Sequence, residues 1–153
     1  MLSESRYIDN KLFFSEVQAQ IKAGKSVRIR VRGSSMFPFL RDGDEVLLQA
    51  PDDNTLRRGA VVVAFTDEIP VVLHRIAKVE REKITLLGDG NTGQWEHSSK
   101  DRIIAKVTRC YRGKRSWRVD SFFSRIGGLL WLSMHPWRKN IVLFAWKLKK
   151  AFT

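Results

Sequence analysis

A single cysteine, Cys110, is all the chain has, so no disulfide can form within it, which fits a reducing compartment. Cys110 sits in an alternating apolar run and reads as a small buried hydrophobe. Long apolar stretches are missing too. A membrane-spanning helix needs about 20 predominantly apolar residues. The longest candidates, Ile126 to Met134 and Ile141 to Trp146, are separated by Pro136, Arg138 and Lys139, so no spanning helix is expected. The first ten residues are polar and lack the pattern of a secretory signal. The expectation is therefore a cytoplasmic protein, peripheral at most at the inner membrane face. Acidic side chains are scarce as well: 16 Asp and Glu stand against 28 Lys and Arg, for a net charge of +12. From Arg112 onward there are ten basic residues and one acid. Such a concentration points to an anionic partner, either nucleic acid or a phospholipid surface.

What is present suits one folded domain: 153 residues, 43% apolar and 29% charged. Phe13, Val17 and Ile21 recur at four-residue spacing, which predicts an N-terminal helix capped by Asn10 and stopped at Gly24. From Ser26 the period changes to two. Val27, Ile29 and Val31 alternate with arginines, as in a half-buried strand. Further strands are expected at Glu45 to Gln49, Ala60 to Phe65, Pro70 to Val79, Lys83 to Leu87 and Ile103 to Tyr111. A loop is expected over Gly88 to Ser99. The fold class is thus mainly β: a small, irregular, antiparallel barrel or sheet. Two helices, Val119 to Met134 and Asn140 to Phe152, follow. The domain reading is an N-terminal helix over 1–25, a β domain over 26–112 and a basic, aromatic helical extension over 113–153.

Three groups of residues could do chemistry. Gly33-Ser34-Ser35-Met36-Phe37-Pro38-Phe39-Leu40 follows a strand end. A hydroxyl there can project from a tight turn whose backbone N–H groups face a developing oxyanion. His74 lies in the apolar strand Val71 to Ile76, and a neutral imidazole can take a serine proton. Lys78 is a rival base only if desolvated, and a solvated surface lysine is expected. Asp89, in Leu87-Gly88-Asp89-Gly90-Asn91, could hold the imidazole in its useful tautomer. No metal or cofactor is expected.

Taken in order, these boxes resemble the peptidase superfamily of signal peptidase I and the LexA-type self-cleaving repressors. Ser35-Met36 with Pro38 is similar to the nucleophile box, Asp42-Gly43-Asp44 to the acidic turn after it, His74-Arg75 to the general-base box and Gly88-Asp89 to the Gly-Asp box. The resemblance runs from about Val27 to Tyr111. His at the base position is the Ser-His version, as in archaeal and endoplasmic-reticulum signal peptidases. The resemblance implies a serine endopeptidase acting on a peptide or protein substrate, with Ser35 as nucleophile, His74 as base and Asp89 as its orienting acid. In the His-type relatives a second acid lies downstream, for which Glu96 and Asp101 are candidates. Gly33 stands where some relatives carry a hydroxyl oxyanion donor, so the N–H of Ser35, helped by Ser34, would serve. Met36, Phe37, Phe39 and the strand Ala60 to Phe65 would wall the substrate cleft. The alternative is a catalytically weak or inactive module of the same fold that binds peptide or docks on a membrane.

The extension mixes Phe, Trp and Leu with Arg and Lys. Such helices suit an anionic membrane interface. Their apolar faces could equally pack on the β domain. Nucleic acid is disfavoured, because Leu130-Trp131-Leu132 and Ile141 to Trp146 are too apolar for an open nucleic-acid groove.

Overall fold

The computed structural model describes residues 2–91 and 93–152, with side chains from Asn10 onward. Helix α1 (Leu2–Lys22) is followed by strands β1 (Val27–Arg30), β2 (Glu45–Gln49), β3 (Val61–Phe65), β4 (Val71–Glu80), β5 (Lys83–Leu87), β6 (Trp95–Ser99), β7 (Ile103–Arg112) and β8 (Arg115–Arg118). Helices α2 (Phe122–Ser133) and α3 (His135–Ala151) follow. All strand pairs are antiparallel, in the order β1-β2-β7-β3-β4-β5-β6, with β8 alongside β7. The mainly β class is as expected.

Strand alternation gives β3 a different core on each face. Val61 and Val63 join Val46, Leu48, Ile104 and Val107, covered by Val17 and Ile21 of α1. Val62 and Ala64 join Val72, Ile76, Ile84 and Leu86. Each of the Val, Leu and Ile side chains contributes about 1.5–3 kcal/mol on burial. Cys110 is fully buried in the first core. Burial, then the neighbouring Asp44 carboxylate, push its thiol up to about 12, so it is no nucleophile at neutral pH.

Several boundaries differ from expectation. Asn10 lies inside α1 and does not cap it, because nothing in residues 2–9 breaks a helix. At the other end Gly24 and Lys25 donate to Ile21 and Gln20, closing the helix as expected. Trp95–Ser99 is a strand rather than loop. Its neighbouring Gly and Asn residues hide a plain alternation of exposed and buried positions. β8 carries the sheet past 113, so the helical part begins only at α2. Ser121 caps α2, its hydroxyl accepting from the Ser124 N–H. α3 starts at His135 rather than Asn140, because Pro136 sits in the first turn, where its missing N–H costs nothing.

The extension packs on the domain. Trp131 and Val142 bury against Phe37. Gly128 of α2 abuts the Arg75 guanidinium so closely that a Cβ would collide with it.

Candidate active site

The turn carrying Ser35 is tied at both ends by the acidic turn that follows. Gly33 N–H donates to Asp42 Oδ1 (2.8 Å), and Arg41 N–H donates to Asp44 Oδ2 (2.8 Å). Asp44 in turn accepts from Arg112 Nε and Nη2 at 2.8 and 2.7 Å. Burial alone would raise the Asp44 carboxyl, but the Arg112 and Arg41 hydrogen bonds hold it below the ordinary range. With its ends fixed, the turn presents Ser35 half-buried. Neither the N–H nor the hydroxyl of Ser35 has a hydrogen-bond partner among the described residues. The Gly33 N–H, by contrast, is committed to Asp42 and offers nothing to an oxyanion.

His74 and Arg75 are consecutive on β4 and so face opposite ways. His74 lies on the face of Val72 and Ile76 and is 4% exposed. Across β5, Leu86 pairs with Glu96 of β6, on that same face. The result is a buried bond of 2.8 Å between His74 Nδ1 and Glu96 Oε2. With an ionised carboxylate, which only accepts, Nδ1 is the donor, and a neutral imidazole in that tautomer has its lone pair on Nε2. The other Glu96 oxygen is buried without a hydrogen-bond partner among the described residues.

Asp89 is therefore not the acid on His74. It lies on the opposite face, where it receives Arg75 Nε and Nη2 at 2.8 and 2.7 Å. Arg75 Nη1 also donates to Gly59 O at 2.8 Å. Parity explains the difference: the strand sends residue 75, not 74, toward the Gly88-Asp89 turn. Asp101 accepts from Ser99 and stays away from the imidazole.

The Gly88 turn joins the two halves of the site. Gly90 N–H donates to Ser35 O at 2.8 Å. A Cβ at position 88 would stand 2.5 Å from Ser35 O and 3.0 Å from His74 Nε2. Only glycine fits, so the Ser35 carbonyl and His74 Nε2 both crowd the same side of this turn. There is no hydrogen bond between the two side chains. From outside, Trp131 Nε1 donates to Asp89 O (2.9 Å), and Arg138 Nη2 donates to Gly88 O (2.8 Å) and Asp89 O (2.5 Å). Arg138 is fully buried; burial, with the Arg75 charge beside it, lowers its pKa against the pull of Asp89.

The cleft residues read from the sequence are mostly packing residues. Met36 is 1% exposed in the core. Phe37 lies under α2 and α3, and Phe39 packs edge-on against Trp131. β3 is paired on both sides, by β7 and β4, so it cannot receive a substrate strand. Lys78 is an exposed lysine paired with Glu80, as expected. In the sequence Trp131 and Arg138 read only as members of the basic, aromatic extension. No spacing rule links them to residue 88; only the apolar face of α2 hinted at docking. Among the described residues no helix is long and apolar enough to cross a membrane.

A family model described as Peptidase S24-like matches residues 3–108. No curated protein matches the chain.

Proposed function

The chain belongs to the Peptidase S24-like family, and from that premise we propose that it is a serine endopeptidase with Ser35 as nucleophile and His74, oriented by Glu96, as general base. The observation that carries the reading is the buried Glu96–His74 bond beside Gly88. It supports a lone pair on Nε2 next to the Ser35 turn. Ser35 Oγ attacks a peptide carbonyl carbon while its proton passes to His74 Nε2. The resulting oxyanion is met by the unengaged N–H of Ser35, with that of Ser34 adjacent. Collapse breaks the C–N bond, and the imidazolium returns the proton to the leaving amine. Water, deprotonated by the same nitrogen, then hydrolyses the acyl ester. Catalytic hydrogen bonds often tighten only with substrate bound, so the missing Ser35–His74 bond accords with this scheme.

Glu96 is given a definite task. A buried carboxylate oxygen with no partner is costly, and a proton arriving on the imidazole turns its neighbour into a cation. The charge pair forms in the transition state and is absent before it. Glu96→Gln is expected to lower kcat by about 10²–10⁴-fold with little change in KM, measured by steady-state hydrolysis of a cleaved peptide.

The substrate is a peptide or protein in extended form. β1 pairs with β2 on one side only and runs directly into the Ser35 turn, which supports strand addition along that edge. An active-site-directed serine probe tests the whole reading. Mass spectrometry is expected to place the adduct on Ser35. No labelling, together with no cleavage of a peptide library, would instead make the chain a binding module of the same fold.

A further inference from the structure

Helices α2 and α3 each have a second apolar face, turned away from the domain. On α2, Gly128, Trp131 and Leu132 are buried. Phe122, Ile126 and Leu130 recur at four-residue spacing on the other side and are exposed, with Phe123 beside them 83% exposed. On α3, Arg138 and Val142 are buried. Trp137, Phe144 and Leu148, seven and four residues apart, form an outward stripe in which Trp137 is 69% exposed. Two adjoining helices exposing this much aromatic surface mark an interaction site.

Charge decides the occupant. Beyond Asp120 the sequence has no acidic residue, and Lys139, Lys147 and Lys150 are exposed along α3. Contact between two copies through these helices would bring together two surfaces that carry cations, with no acid on either helix to offset them. Exposed aromatics on helices that carry cations and no acid fit an anionic bilayer: the rings enter the headgroup boundary while long lysine side chains reach lipid phosphate. We propose that α2 and α3 lie in the plane of an anionic membrane surface, held by Phe122, Phe123, Trp137 and Phe144 and by the lysines of α3. This proposal stands independently of peptidase activity.

The test is flotation of the full chain with vesicles of mixed phosphatidylglycerol and phosphatidylcholine, against pure phosphatidylcholine. Binding is expected to the anionic vesicles and to fall in high salt. Lys147→Glu with Lys150→Glu is expected to weaken it about tenfold or more. Trp137→Ser with Phe144→Ser is expected to abolish it without altering the thermal melt, since both side chains are exposed. Failure of the full chain to float, or equal flotation of the Trp137→Ser, Phe144→Ser variant, would overturn the proposal. So would dimerisation through these faces, or capture of an acidic protein by them, without lipid binding.

Discussion

Ser35→Ala is expected to lower peptide turnover by about 10⁴-fold or more while leaving the unfolding free energy within about 0.5 kcal/mol of the parent. The two readouts are predicted to separate for a local reason. The Ser35 hydroxyl has no hydrogen-bond partner among the described residues, so its removal leaves no buried group unsatisfied. What holds the turn is its backbone: Ser35 O accepts from Gly90, Gly33 N–H donates to Asp42, and Asp44 binds Arg112. Alanine keeps all of these. Turnover should collapse because no neighbour can supply a nucleophile: Ser34 sits one residue away and is exposed, and Cys110 is buried with its thiol raised to about 12. Steady-state hydrolysis beside urea denaturation checks both halves. Turnover retained within tenfold would remove Ser35 from the reaction.

Asp89→Ala is expected to do the reverse, costing about 3–5 kcal/mol of stability. Asp89 is fully buried and Arg75 is 3% exposed. Deleting the carboxylate strips Arg75 of two hydrogen bonds and leaves its charge buried close to that of Arg138. Breaking such a pair costs far more than the pair itself contributes, because the survivor stays desolvated. A urea midpoint lower by about 2 M is expected, taking about 2 kcal/mol per M as the slope for a domain of this size. Arg75→Met combined with Asp89→Leu should recover part of the loss, since a matched apolar pair leaves no lone charge. A midpoint unchanged in Asp89→Ala would instead show that water reaches Arg75. Peptide turnover in any Asp89→Ala protein that remains folded should fall much less than in Glu96→Gln.

The contrast between these acids shows what the sequence could tell and where it stopped. Strand positions were legible: Val27 and Ile29 are half-buried against the core as their alternation with arginines implies, and strands stand near Val61 to Phe65 and Ile103 to Cys110, although β3 buries both of its faces rather than one. The boxes around Ser35 and His74 were visible as local patterns, and their juxtaposition followed from the resemblance. Which acid reaches the imidazole was not legible. That depends on the face to which each strand delivers its side chains, and so on the register of β5 against β6. Asp89, inside a Gly-Asp box, looked the better candidate because β6 was hidden among turn residues. The aromatic positions after Ser35 misled for a different reason. Apolar side chains beside a nucleophile suit either a substrate pocket or a core, and only the packing of α2 and α3 decides between them.

The grip of Trp131 and Arg138 on the carbonyls of Gly88 and Asp89 bears on where the smallest intact site ends. Residues 3–108, the stretch by which kinship is recognised, contain Ser35, His74 and Glu96, yet not the fastener of the turn between them. A chain cut back to that stretch would keep all three proposed reacting groups and lose the outer clasp on the turn between them. Heredity is written in one part of this molecule and alignment in another.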